Sequence, residues 1–511
     1  MTPRRTCPLG PALLALSLSP ACGDSDDSSD STSTDSTSTP STAPTTTAPD
    51  DPTTTTTTTS SDTTGPELPA CATPTAELHL PGEIALHGLT INPGGTCTTT
   101  LIVDAPRIVE LHTTAGTLQV DDRPEDEPGW QRPRELPSGT YQISVDNPGQ
   151  GPLSVTLELR DHGPAPPPLI RERSLVWTQP ALVEDPSACR LACVLAAISA
   201  DGHGGALVRQ WFDRFATTLH SERLGPRSLL DEFAMQAGPD PTTWNLDTLP
   251  FIVTAVHNRL DLRTAEHCGE LRLSFASTHP IFRPFHLIFL FAQPPVPADI
   301  SPSGALHCAA TALRWARLGE LPEPEFLAAA VALIAERVTL ANFLAAETNE
   351  FTIAPWEWRQ WFLVDPQTLD NRPLFETVDI PRLNTPGPER DAFLTWAEAN
   401  ADELIKRRLL IPEEFRSPSA RANQGTPWVP LQLTPALDAA FPALRRNLEI
   451  VGCPACHATD AEFVQTLPNR TFSPFYAKEL DARALHFQGL YTGAATAPPF
   501  GPLQPDPLLP P

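Results

Sequence analysis

The chain has 511 residues, 60 of them proline, and sets 35 Lys and Arg against 61 Asp and Glu for a formal charge of −26. That length exceeds one ordinary domain and predicts two or three. So acidic a chain is poorly matched to nucleic-acid phosphates, and no DNA or RNA partner is expected.

Residues 1–22 read as an export signal. Arg4 and Arg5 open it, residues 6–21 carry no charge, and Ser-Pro-Ala precedes Cys22. The stretch is too short and too rich in proline for a comfortable membrane-spanning helix. The small residues before Cys22 resemble a bacterial lipoprotein signal. That resemblance implies a lipid on Cys22, attachment to a membrane, and, with Gly23 next, an outer-membrane or cell-surface location. Simple cleavage without lipid is the alternative.

Residues 23–68 hold nine acids, no base, and otherwise mostly Ser, Thr and Pro. Such a stretch cannot bury enough apolar surface to offset chain entropy, so it reads as a solvated tether with a span of about 40 Å.

Residues 71–161 alternate apolar and polar positions. Leu101 to Val103, Ile108 to Leu111, Tyr141/Ile143/Val145 and Leu153/Val155/Leu157/Leu159 read as strands, and Asn147 to Pro152 as a turn. A small β-sandwich is predicted, acting as a spacer or as a glycan- or surface-binding module. Asp121, Asp122, Glu125, Asp126 and Glu127 fit no calcium-loop spacing and read as a solvated acidic turn.

Residues 162–168 read as a proline-rich hinge before a large domain, 169–511. Leu207, Trp211, Phe212, Phe215 and Leu219 have helical spacing. Phe251 to Val256, Leu271 to Ala276 and Phe285 to Ala292 read as strands, the last buried on both faces. Helices are expected at about 303–318, 325–346 and 388–409. The fold class predicted is therefore multidomain: a small all-β sandwich, then a larger α+β domain that becomes mostly helical towards the C-terminus.

Asn258-Arg259-Leu260-Asp261-Leu262, followed by Cys268-Gly269-Glu270-Leu271-Arg272, resembles a motif pair of large uncharacterised lipoproteins from myxobacteria and related bacteria. Thr348-Asn349-Glu350 with Trp356-Glu357-Trp358-Arg359 resembles a later motif of that group. The resemblance covers about 200–470 and implies a shared architecture and location, with no reaction attached. Taken by themselves, Arg259, Asp261, Glu270 and Arg272 read as an ion-pair lattice rather than an active site.

Ten cysteines occur. Cys7 leaves with the signal and Cys22 takes the lipid. In an exported chain the other eight are expected to pair or to carry a group. Cys71 with Cys97 and Cys268 with Cys308 are the predicted disulfides. Cys189 and Cys193, four apart on a predicted helix, are left open between a local bridge and other partners.

Cys453-Pro454-Ala455-Cys456-His457 is the sharpest signal. Cys-x-x-Cys-His is the attachment motif of c-type haem: two thiols add to the porphyrin vinyl groups and the next imidazole ligates the iron. No methionine lies downstream, so the second axial position falls to His486, to His257 or His286, or to water. A local Cys453–Cys456 disulfide and a zinc site are the competing readings. The six tryptophans 211, 315, 356, 358, 361 and 396 read as core. The nucleophile elbow, His-Glu-x-x-His, Walker loop and Gly-x-Gly-x-x-Gly are all missing from the sequence.

The leading expectation is an envelope lipoprotein with a single haem c, engaged in electron transfer with a redox partner protein. The alternative is a cofactor-free, disulfide-stabilised surface lipoprotein that binds or supports. Neither reading makes the chain an enzyme of a recognised class.

Overall fold

The computed structural model describes residue 71, residues 77–80, residues 87–450 and residues 474–494. Within 87–450 it omits 122, 184–189, 216–223, 282–284, 351–355, 366, 375–376, 406–408, 410, 424–425 and 428. The signal, Cys22, the tether, Cys189 and Cys453 to His457 lie outside the described residues. All described residues belong to one compact unit, Pro69–Pro511.

Two sheets form the N-terminal part. Their strands are β1 Leu78–Leu80, β2 His87–Ile91, β3 Thr96–Val103, β4 Arg107–Thr113 and β5 Thr117–Val120. β6 Arg123–Pro124, β7 Trp130–Leu136, β8 Gly139–Asp146 and β9 Leu153–Pro164 complete them. One sheet runs β1-β3-β8-β5-β6 and the other β2-β9-β4-β7. Alternate residues turn inward, so Leu101, Ile143 and Val145 share one core with Leu111, Val155 and Leu157. The Asn147 side chain holds the predicted turn, donating to the carbonyls of Ile91, Asn92 and Gly151. Cys71 and Cys97 are bridged with Cα atoms 5.0 Å apart. Three of the acids of the predicted turn are bonded within the module: Asp121 accepts from the Gln142 amide. Glu125 accepts from the amides of Leu118 and Gly129, and Asp126 from Arg134.

Residues 162–168 do not behave as the expected hinge. β9 runs to Pro164, the Ala165 amide donates to the Pro106 carbonyl, and Arg317 donates to the His162 carbonyl. The Trp130 ring lies 5.2 Å from that of His307, and Ser301 bonds Glu127 at 3.0 Å.

The second part is built on one antiparallel sheet of nine strands. They are β10 Val176–Trp177, β11 Phe251–Arg259, β12 Glu270–Ser277, β13 Phe285–Ala292, β14 Phe343–Glu350, β15 Trp356–Asp365, β16 Thr368–Asn371, β17 Ala420–Asn423 and β18 Thr426–Pro427. The order is β10-β11-β12-β13-β14-β15-β17-β18, with β16 also on β15.

Helices are spread along the chain: α1 Arg171–Ser174, α2 Pro180–Val183, α3 Leu191–Ile198, α4 Gly205–Phe215, α5 Leu224–Ala237, α6 Ala309–Glu320 and α7 Glu323–Arg337. Then come α8 Ile380–Leu383, α9 Pro388–Ala399, α10 Ala401–Ile405, α11 Pro435–Ala440, α12 Leu444–Ile450 and α13 Pro474–Thr492. Leu271, Leu273, Phe275, Leu287 and Phe289 of the sheet pack on Trp211, Phe212 and Phe215 of α4 in the main core. Phe393, Leu404 and Phe415 centre a separate helical core. Cys268 and Cys308 are bridged, with Cα atoms 5.4 Å apart, tying the start of β12 to that of α6.

The predicted fold class is corrected here. The molecule is β-rich, and its C-terminal part is not mostly helical. Five of the nine strands of the large sheet, β14 to β18, fall between 343 and 427. The helix expected over 325–346 ends at Arg337, and Phe343–Glu350 pairs with β13 instead. Alanines favour a helix locally, but cross-strand pairing and burial outweigh a preference of tenths of a kcal/mol per residue. The tryptophans divide in the same way: Trp211 and Trp315 are buried on helices, while Trp361 is buried on β15.

Candidate functional site

Period-two alternation gives the large sheet two unlike faces. Leu271, Leu273 and Phe275 point to the main core, so Glu270, Arg272 and Ser274 lie on the opposite face. The register sets Arg259 against Glu270 and His257 against Arg272. Gly269 makes the approach to β12 tight. Its φ is +83°, and a Cβ there would stand 2.2 Å from the Arg259 carbonyl oxygen.

The four residues expected to form an ion-pair lattice do so. Arg259 pairs with Asp261 at 2.8 Å, and Arg272 with Glu270 at 2.7 Å. Arg272 also reaches across β13 to Glu347 at 3.8 Å, and Gln360 donates to Glu347 at 3.1 Å.

The lattice extends to a helix the sequence reading missed. α13 packs against α6, β7 and the Leu260–Leu262 turn. Glu479, Arg483 and His486 stand at i, i+4 and i+7, so they form one stripe along it. All three are buried, at 7%, 1% and 2% exposure. Arg483 meets Asp261 at 3.3 Å and Glu479 at 3.5 Å, and Glu479 meets Arg259 at 3.8 Å. Beside this stripe Leu480, Phe487 and Tyr491 join the main core. The signal for the helix was present in the sequence, as a Glu-Arg pair four apart with apolar residues at 480, 487 and 491.

Burial and charge act together here. Burial alone would lower the Arg259 pKa, but Asp261 and Glu479 outweigh it and the guanidinium is held charged. Arg272 is likewise held charged against burial by Glu270 and Glu347. Glu479 is pushed up, chiefly by burial, which Arg259 only partly offsets. His257 is pushed down to about 3 by burial first and then by Arg259 and Arg272. Its Nε2 lies 3.1 Å from the Ser274 hydroxyl. His286, on β13, is pushed down to about 4 by burial. Both imidazoles are therefore neutral at pH 7.

The later motif pair lands on the other side of the sheet. Arg359 and Glu357 pair at 2.9 Å, and Arg359 lies over the Phe215 ring at 5.4 Å. Glu350 stands opposite Glu357, and Thr348 accepts from the Trp361 indole at 2.9 Å. The sheet thus separates the two sets of charged residues that the family resemblance groups together.

Among the described residues no three His, Cys, Asp or Glu side chains are grouped to hold a metal ion. Of the histidines expected as candidates for a second haem ligand, His486 is buried on α13 next to the buried Phe487, and His257 and His286 are buried in the sheet. Thiol, thiol and adjacent imidazole at 453–457, with a second buried imidazole downstream, is a donor set suited to a six-coordinate haem. No protein-family model matches this chain, and no curated protein and no solved structure matches it significantly.

Proposed function

We propose that this chain is a cell-envelope lipoprotein carrying one c-type haem and exchanging electrons with a redox partner protein. Cys453 and Cys456 would hold the porphyrin and His457 would ligate its iron, with His486 as the candidate for a second ligand. Cys22 carries the lipid that attaches the chain to the membrane. The haem supplies one-electron chemistry, and the chain supplies ligands and burial.

The observation that carries the reading is the sequence Cys-Pro-Ala-Cys-His behind an export-type N-terminus. The two disulfides support it. Cys71–Cys97 and Cys268–Cys308 belong to an oxidising compartment, which is where haem is attached, and they leave Cys453 and Cys456 to other use. The test is a pyridine haemochrome assay on protein exported from a host with the cytochrome c maturation machinery. Covalent haem is expected, and its absence ends the reading.

The mutual pairing of the buried charges favours a second reading, a cofactor-free binding or structural lipoprotein. Peptide mass mapping separates the two. That reading requires a Cys453–Cys456 disulfide, two hydrogens lighter than the thiol form and without a haem adduct.

A further inference from the structure

Buried charges usually pin the elements that carry them, because parting two partners leaves each alone in a dry interior. The quartet where α13 meets the sheet divides differently. Arg259 and Asp261 are joined to each other by three hydrogen bonds of 2.8 to 3.1 Å, at the end of β11 and in the turn after it. Arg483 and Glu479 stand four apart on α13 and pair at 3.5 Å. The contacts across the boundary are Arg483 to Asp261 at 3.3 Å and Arg259 to Glu479 at 3.8 Å. Parted along that boundary, the quartet yields two neutral pairs, one on the sheet and one on the helix, and strands none of its four charges.

The rest of the attachment spans the seam. Leu480, Phe487 and Tyr491 are the buried apolar anchors of α13, with Ala484 and Leu490 partly buried beside them. They must offset the ordering of a 19-residue helix. One anchor is flawed: Tyr491 is 1% exposed, and its hydroxyl has no hydrogen-bond partner among the described residues, which costs stability in the docked state. The helix ends at Gly493, with φ +75°, where a Cβ would stand 2.7 Å from the Arg134 Cβ. The Gly493 carbonyl accepts from Arg132 at 3.4 Å. Both arginines lie on β7, the edge strand of its sheet. α13 therefore touches α6 and the Leu260–Leu262 turn on the large part and β7 on the sandwich.

We propose that α13 is a releasable strap: it closes the seam between the sandwich and the large part, and it lifts off as a unit while both keep their sheets. Closed, it makes the two parts move as one. Lifted, it leaves them joined by Trp130 with His307, Ser301 with Glu127 and Arg317 with His162, and it releases the edge strand β7. The strap does not rest on the haem reading.

Hydrogen exchange of the full chain, read peptide by peptide by mass spectrometry across low denaturant, tests it. Peptides of α13 and β7 should exchange together, at least about tenfold faster than those of β8, β12 and β13, through an opening less sensitive to denaturant than global unfolding. Tyr491→Phe removes the unpaired hydroxyl and should slow α13 and β7 about tenfold while β8, β12 and β13 keep their rates. Gly493→Ala forces a side chain into a left-handed position against Arg134 and should speed α13 and β7 instead. Tyr491→Phe decides alone should Gly493→Ala fail to fold. If α13 exchanges only together with β12 and β13, in wild type and Tyr491→Phe alike, the strap is overturned and the helix is part of the core. If β7 does not follow α13 in Tyr491→Phe, its closure of the seam is overturned.

Discussion

The two β parts of this molecule handle polar groups in opposite ways. The N-terminal sandwich has an apolar interior of Leu, Ile and Val with a disulfide beside it, and its buried acid Glu110 sits near the seam with the rest of the chain. There it accepts from the Trp130 indole at 2.9 Å and contacts His162 at 2.9 Å. The nine-stranded sheet packs an apolar core as well, but it buries guanidinium groups and carboxylates on both of its faces. Apolar burial stabilises without specifying much. Buried ion pairs contribute little net stability but punish any arrangement that leaves one partner alone. The sandwich is thus built to persist, and the charged sheet is built to hold one geometry.

Breaking one partner of the lattice should give the largest effect. Arg259→Met leaves two buried carboxylates, Asp261 and Glu479, to Arg483 alone and should destabilise the large part by ~3–5 kcal/mol, the range for breaking a buried ion pair by removing one partner. Denaturant unfolding of the full chain, followed by tryptophan fluorescence, measures it. A loss below 1 kcal/mol would mean that the lattice is solvated and the contrast with the sandwich is false.

In the sandwich the comparable blow is covalent. Replacing Cys71 and Cys97 together by Ser opens a loop with a sequence separation of 26 and should cost ~3 kcal/mol. The same denaturant series reads it, and the sheet disulfide pair Cys268 and Cys308 serves as the comparison.

Acid should sharpen the contrast. The folded His257 pKa is depressed to about 3, so between ordinary histidine values and pH 3 the unfolded chain holds a proton that the folded chain lacks. Stability therefore falls as pH falls through that window, by at most ~1.4 kcal/mol per unit from this group. In the sandwich, the bonds from His162 and Trp130 outweigh burial and hold Glu110 below the usual carboxylate range. Its contribution is complete above the ordinary carboxyl value and fades only as pH drops through its lowered one. The sheet should weaken in milder acid than the sandwich does. His257→Gln should flatten the slope between pH 6.5 and 5, and an unchanged slope would remove His257 as its source.

The smallest effect is expected at the seam. Ser301→Ala removes the bond to Glu127 and should cost ~1 kcal/mol. The useful readout is cooperativity. A single unfolding transition that splits in two shows that this contact couples the parts, and an unchanged single transition assigns the coupling to the other seam contacts, Trp130 with His307, Arg317 with His162 and α13 on β7.

The sequence by itself determined features carried by local period and chemistry. Alternation marked β8 and β9, apolar runs marked β3 and β12, helical spacing marked α4, and oxidising export suggested that Cys71–Cys97 and Cys268–Cys308 would pair. It also placed Arg259, Asp261, Glu270 and Arg272 close enough in the chain to be read as a lattice. Only the tertiary structure decided the rest. Phe343–Glu350 became a strand because β13 lay beside it, against the local preference of Ala345 and Ala346. Glu347 and Arg483 joined the lattice from 75 and more residues away, a distance that no periodicity spans. Burial, which leaves His257 neutral, and the buried carboxylates that keep Arg259 charged against it depend on everything packed around a side chain, so neither is written at any one position.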